Sequence, residues 1–230
     1  MLRLTFEGHG LRELVAPEPA SSVRLLVPSP GEAELVLPEW NGNEFLLPDG
    51  RRPALRTFTP LRFDAETGRL ELEIVRHPGG AVSEWAESVR VGDSAAISGP
   101  GRGWELDASV RSLRLLGDET ALPAIGQLID LVDPSVAITV DVEVEHEDAV
   151  QALPERPGVE VAWHVRSDAA APGDALVQVA RSISEVGADV HIWAAGEAAS
   201  MQAIRKHCFD ALGLTRSQTT IRGYWKPARS

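Results

Sequence analysis

Leu113-Arg114-Leu115-Leu116-Gly117-Asp118-Glu119-Thr120-Ala121-Leu122-Pro123-Ala124-Ile125 runs from an apolar segment through a glycine and two acids into a helical pattern. Leu113–Leu116 reads as a strand, and Thr120–Leu131 as a helix with apolar residues at helical spacing. Thr120 is placed to cap that helix, and Pro123 sits in its first turn, where a missing N–H has no partner to lose. A strand that closes into a helix start is where open α/β sheets bind ligands. Working downstream, the same rhythm predicts strands at Val136–Val144, Val159–Val165 and Val190–Ala195, and helices at Asp174–Val186 and Ala198–Leu212. Met201, Ile204, Cys208 and Leu212 share one face of the last helix, and Gly213 closes it. Strands alternating with helices predict a doubly wound parallel sheet.

Upstream the pattern is different. Val23–Val27, Glu34–Leu37 and Leu70–Val75 are short and β-rich or alternating, separated by Pro28-Ser29-Pro30-Gly31, Pro48-Asp49-Gly50 and His77-Pro78-Gly79-Gly80. One short helix is expected at Val82–Ser88. These signals predict an N-terminal antiparallel β-barrel domain over residues 1–108 and a doubly wound α/β domain over 109–230, with the boundary near Leu106–Ser112. Gly99-Pro100-Gly101-Arg102-Gly103 follows the barrel and reads as a linking turn, not as the dinucleotide fingerprint of three spaced glycines.

Composition limits the function classes. A net charge of −12 opposes binding to nucleic acid and to anionic membrane surfaces, both of which need basic patches. Cys208 is the only cysteine, which excludes an internal disulfide, a cysteine-held iron–sulfur cluster and a multi-cysteine zinc site. No stretch approaches the roughly 18 apolar residues that span a bilayer, and the first residues lack a signal-peptide pattern. The chain therefore reads as soluble and cytoplasmic. His9, His146, His164, His191 and His207 are scattered and read as structural or solvated.

Two segments of the barrel region carry chemistry. Arg56 offers a forked donor suited to phosphate, and Phe58, two residues on in a strand, projects from the same face. By themselves Arg56-Thr57-Phe58-Thr59 also fit an ordinary exposed strand. Gly80, Ala81, Val82 and Ser83 open a helix whose free N–H groups suit a pyrophosphate; the alternative is Ser83 as a simple N-cap and Trp85 as a core residue. In the second region, Gly196 allows close backbone approach. Glu197 fits either a nicotinamide contact or ordinary complementation of a helix dipole. Glu143, Glu145 and Glu147 would repel a 2′-phosphate while Arg166 would attract one, so NADH and NADPH both remain open.

Together, Arg56–Thr59, Gly117–Ile125, Trp193-Ala194-Ala195-Gly196-Glu197 and Gly223-Tyr224-Trp225-Lys226 resemble the siderophore-interacting protein family, FAD-containing ferric-siderophore reductases of the ferredoxin-reductase-like superfamily. The resemblance covers nearly the whole chain. It implies FAD held by Arg56, Phe58, Thr59, His77, Gly80, Ala81, Val82 and Ser83, and NADH or NADPH held by Asp118, Thr120, Ala121, Gly196 and Glu197. It implies a ferric siderophore met by Lys226, with Arg222 and Arg205 beside it, although a terminal lysine is also at home simply solvated. The implied reaction passes a hydride from NAD(P)H to FAD and then single electrons to Fe(III), releasing Fe(II), in a monomer without a protein metal site. Two departures stand out: Phe58 replaces a usual tyrosine, and Leu61 a usual arginine. The segment matching Met1–Leu11 is usually preceded by another strand. Rival readings are a superfamily reductase that passes electrons to a protein partner, and a non-catalytic ferric-siderophore binder whose flavin site has decayed.

Overall fold

A computed structural model describes residues 1–101 and 103–227, and the chain divides into two units, Met1–Trp104 and Glu105–Ser230. Among the described residues no helix is long and apolar enough to cross a membrane.

In the first unit, alternation decides the strands. Leu2, Leu4 and Phe6 of β1 (Leu2–Glu7) lie opposite Ile74, Leu72 and Leu70, and Val23, Leu25 and Val27 of β2 (Val23–Val27) are almost fully buried. The excursion after β2 carries a hairpin of β3 (Glu39–Trp40) and β4 (Phe45–Leu46), followed by β5 (Ala54–Phe58), β6 (Pro60–Asp64), β7 (Arg69–Ile74), helix α1 (Ala81–Ser88) and β8 (Ala96–Ser98). Apart from the hairpin, the strands form two three-stranded antiparallel sheets, ordered β1-β7-β6 and β5-β2-β8. Both sheets and α1 share one core built on Leu25, Leu70, Leu72, Ile74 and Val82. Trp85 of α1 stacks on Phe6, with ring centroids 6.5 Å apart. This is the antiparallel β domain that the upstream alternation predicts.

The strand expected at Glu34–Leu37 is absent; the segment is irregular, and Leu37 is 64% exposed. Turn chemistry overrides its apolar content. The Asn41 side chain accepts hydrogen bonds from the N–H groups of Asn43 and Glu44, and Gly42 has φ +98°. That tight turn pairs Glu39–Trp40 with Phe45–Leu46 and leaves Glu34–Leu37 without a partner strand.

The second unit is a five-stranded parallel sheet ordered β11-β10-β9-β12-β13. Its elements are β9 (Ser112–Asp118), α2 (Leu122–Leu131), β10 (Ala137–Val144), β11 (Val159–Val165), α3 (Asp174–Ser182), β12 (Val190–Glu197), α4 (Ala198–Lys206) and β13 (Thr219–Trp225). The chain steps outward from β9 to β11, then returns to place β12 on the other side of β9, so the switch point lies between β9 and β12. On one face Leu116, Ile192 and Ala194 pack with Leu176 and Ala180 of α3 and Met201 and Ile204 of α4. Leu115 alternates to the opposite face, and α2, with Ile125, Leu128 and Ile129 buried, packs on β9.

The helix expected over Asp174–Val186 stops at Ser182, where the Ser182 hydroxyl donates to the Val179 carbonyl. Ile183 then turns extended and packs into the core. Beyond α4, a π-helical turn at His207–Ala211 carries the buried Cys208, whose thiol pKa burial pushes up.

Gly117 sits where α2 crosses the end of β9. A Cβ at this position would lie 2.7 Å from the Ala121 Cβ and 2.8 Å from the Ile125 Cδ1. Gly117→Ala should therefore lower stability by about 1–3 kcal/mol, the usual cost of overpacking. Gly126 lies inside α2 with only Pro154 Cδ near such a Cβ, at 3.8 Å, so Gly126→Ala should raise stability by about 0.5–1 kcal/mol. Thermal and urea denaturation followed by circular dichroism measures both.

Candidate functional site

The first unit positions its site on β5 and on the start of α1, which packs against β5. In the pairing of β5 with β2, Arg56 lies opposite Leu25 and Phe58 opposite Val23, so the two share one face of the strand. Phe58 is half-buried against the core, Thr59 is buried, and Arg56 is exposed with Nη1 donating to the Leu55 carbonyl at 2.8 Å.

Gly80 is the N-cap of α1 and provides no side-chain cap. The His77 ring lies against it: a Cβ on Gly80 would come within 2.3 Å of that imidazole. Ser83 is not the N-cap. It is buried inside the first turn, and its Oγ accepts the His77 N–H at 2.9 Å, tying the turn to the helix. Ala81 and Val82 open a helix start without a side-chain cap. An uncapped helix packed on the strand that carries an exposed guanidinium fits the pyrophosphate of a dinucleotide such as FAD.

The reverse face of the same sheet holds a pocket of about 270 Å³ lined by Ser22, Arg24, Thr57, Ser98 and Gly99–Gly101. Arg24 lies directly opposite Thr57 on one side and Ser98 on the other. Its guanidinium sits 5.6 Å from the centroid of the Phe45 ring. Gly99–Gly101, which follow β8 and precede the boundary between the two units, also line this pocket, with Gly101 N–H donating to the Ser22 carbonyl. Sequence reasoning missed Arg24. Its position in the strand Val23–Val27 carries no signal of its own, because its neighbours Thr57 and Ser98 emerge only from strand pairing.

In the second unit the carboxyl ends of β9, β12 and β13 meet. Asp118, 8% exposed, accepts at Oδ1 from the Thr120 N–H (2.9 Å) and hydroxyl (2.5 Å). Its Oδ2 accepts from the Glu197 N–H (3.0 Å) and the Trp225 indole (2.7 Å). Burial pushes the Asp118 pKa up, against the pull of these hydrogen bonds. Gly196 must be glycine here, because a Cβ would lie 2.6 Å from Asp118 Oδ2. Thr120 is thus not the cap of α2: it lies in the 3-10 turn Glu119–Ala121 that Asp118 caps, and it is one of the Asp118 donors. Ala121 is fully buried where the helix begins.

Glu197 resolves toward capping. Its Oε2 accepts from Ala199 N–H (2.7 Å) and Ser200 N–H (2.9 Å) at the start of α4. Glu143, at the end of β10, does the same for α3, accepting from Gly173 N–H (2.6 Å) and Ala175 N–H (2.9 Å). Three strand ends therefore carry buried carboxylates that satisfy neighbouring N–H groups.

Of the three basic residues, Arg222 lies on β13 opposite Ala195, and Lys226 is exposed immediately after that strand. Arg205, on α4, donates to the Ile221 carbonyl and so braces α4 against β13. His191 is buried between the Ser217 carbonyl and the Thr220 hydroxyl, and burial lowers its pKa. Among the described residues no cluster of three potential metal ligands occurs.

Comparison with known proteins agrees with this division. Residues 1–104 match the model of a siderophore-interacting FAD-binding domain, and residues 110–228 match that of siderophore-interacting proteins. The chain is 29% identical to the mycobactin import ATP-binding/permease protein IrtA of Mycolicibacterium smegmatis, over 100% of this chain and 24% of that protein. It therefore spans about a quarter of that relative's length. It is 24% identical to the ferric vibriobactin reductase ViuB of Vibrio cholerae, covering 100% of this chain and 85% of that one. Among solved structures, a siderophore utilization protein from T. fusca superposes with a TM-score of 0.79 at 28% identity, covering 99% of this chain and 87% of that one. The siderophore-interacting protein SipS of Aeromonas hydrophila gives 0.77 at 27% identity, covering 98% and 91%.

Asp118→Asn would turn one acceptor oxygen into an NH₂ facing two donors, Glu197 N–H and the Trp225 indole. A loss of about 1–3 kcal/mol is expected, with a changed Trp fluorescence spectrum. Trp225→Phe, which removes a single donor, should cost less, by denaturant titration of both variants.

Proposed function

The chain belongs to the siderophore-interacting protein family, and from that premise we propose that it is an FAD-dependent NAD(P)H:ferric-siderophore reductase. The observation that carries this reading is that α1, whose start has no side-chain cap, packs on the strand of Arg56 and Phe58, since an anionic dinucleotide suits both. FAD bound there supplies the conversion between a two-electron donor and one-electron acceptors. Arg56 and the first-turn N–H groups of α1 hold phosphate charge. Phe58 offers a flat face to an aromatic ring, without the hydroxyl that a tyrosine would add. Thr59, buried where β5 runs into β6, keeps this face fixed against the core.

NAD(P)H binding is supported by the switch point. The Asp118 knot ties the ends of β9, β12 and β13 together at that point, and its own oxygens are already occupied by protein donors. Asp118, Thr120 and Glu197 thus shape the switch point of the sheet, with Ala121 and Gly196 buried beside them. Because NAD(P)H is a cytoplasmic reductant, this reading places the reaction in the cytoplasm.

The ferric chelate is the substrate. Arg24 lies between two side-chain hydroxyls in a pocket whose lining includes Thr57, the residue between Arg56 and Phe58. A guanidinium flanked by hydroxyls suits the carboxylate or catecholate oxygens of an anionic chelate. Lys226, in the other unit, is a separate exposed cation. One NAD(P)H reduces two Fe(III) to Fe(II) with release of one proton, and ligands built for hard Fe(III) let Fe(II) go.

The test is an absorbance spectrum of the FAD-loaded protein before and after anaerobic NADH or NADPH. Flavin bands near roughly 375 and 450 nm should bleach, and a ferric chelate should then restore them while an Fe(II)-specific chromogenic chelator develops colour. A protein that stays colourless with added FAD yet binds the chelate is the non-catalytic binder. Bleaching without chelate turnover points to a protein acceptor. Arg24→Ala should raise KM for an anionic ferric chelate about tenfold, roughly 1.4 kcal/mol, and leave KM for an uncharged quinone acceptor unchanged.

A further inference from the structure

β10 and β11 end side by side, with Glu143 opposite His164 and Val144 opposite Val165. The next residue on each strand carries a charge. Arg166 N–H donates to the Val144 carbonyl at 2.9 Å, and its Nη2 meets Glu145 Oε1 at 2.6 Å. Glu145 N–H in turn donates to Glu119 Oε1 at 2.8 Å. The ion pair is therefore anchored to the neighbouring strand and to the Asp118–Thr120 turn.

In a doubly wound sheet, the end of the strand that follows the phosphate turn is where the adenosine ribose of a dinucleotide lies. A 2′-hydroxyl at that place donates to a carboxylate, whereas a 2′-phosphate needs a free cation. Arg166 is the only arginine or lysine in residues 143–150 and 165–174, against Glu143, Glu145, Glu147, Asp148, Asp168 and Asp174. Glu143 is occupied in capping α3 and does not select anything. The Arg166 side chain is 21% exposed and that of Glu145 57%, so an incoming ligand meets the carboxylate before the guanidinium.

We propose that Glu145 makes this protein select NADH over NADPH, by pairing with Arg166 and presenting negative charge where the 2′-phosphate would sit. The inference rests on the NAD(P)H reading above and deepens it. Glu145 acts as a gate on a latent phosphate site: with its charge removed, Arg166 is free to turn to a 2′-phosphate. The pair is largely solvent-facing on the Glu145 side, and exposed ion pairs contribute little to stability, so Glu145→Gln should fold.

The experiment measures dissociation constants of NAD⁺ and NADP⁺ for the FAD-loaded protein by calorimetry, and kcat/KM for NADH and NADPH. The unaltered protein should bind NAD⁺ at least about tenfold more tightly than NADP⁺. Glu145→Gln should strengthen NADP⁺ binding about tenfold, and the double variant Glu145→Gln/Arg166→Ala should lose that gain. A merely structural role for Glu145 would shift both nucleotides in parallel and overturn the proposal, as would an unaltered protein that prefers NADP⁺. Binding of neither nucleotide overturns the nucleotide reading and this inference with it. Oxidation of NADH with an unchanged NADH/NADPH ratio in Glu145→Gln overturns the inference alone.

Discussion

Four donors converge on the Asp118 carboxylate, and the order of the binding edge follows from that convergence. The Thr120 N–H and hydroxyl fix the turn into α2, the Glu197 N–H fixes the end of β12, and the Trp225 indole fixes the end of β13. A carboxylate taken out of water is expensive unless its lone pairs are satisfied, and here both oxygens accept twice. The knot demands glycine at position 196. Because β12 and β9 are neighbours only by virtue of the return of the chain across the sheet, this contact also locks the switch point.

The same solution recurs at the ends of β10 and β12, where Glu143 and Glu197 accept the first N–H groups of α3 and α4. Helix starts that would otherwise present open N–H groups are filled from within. The start of α1 differs: Gly80 supplies no side-chain cap, and Ser83 accepts from His77 without occupying the N–H groups of Ala81 and Val82. Carboxylates fill the starts of α3 and α4 and the 3-10 turn that leads into α2, whereas no side chain caps the start of α1. That open start is what the proposed placement of the flavin phosphates at α1 rests on.

Much of the architecture was legible in the sequence. The succession from β9 to α4 was expected from periodicity, because alternation and helical spacing are local; burial rewards them directly at the central strands β9, β10 and β12, and the edge strand β11 pairs beside them. Expectations failed where a local signal met a stronger one. Glu34–Leu37 is β-rich, but the Asn41–Gly42 turn selected other partners. Continuation of α3 past Ser182 is likewise cut short, because Ile183 turns extended and finds a place in the core.

The sequence by itself determined the main strands and helices of the α/β unit, the two-part organisation, and the short motifs that carry the family resemblance. What only the tertiary structure decided is which polar groups of those motifs remain available. Asp118 and Trp225 stand 107 positions apart along the chain; Arg24, Thr57 and Ser98 become one row only through strand pairing. Arg166 and Glu145 are likewise joined only because β10 and β11 run in parallel. Periodicity is a property of neighbouring residues and survives in the sequence. A hydrogen bond or ion pair between distant residues depends on the register of the sheet, and no local pattern records it.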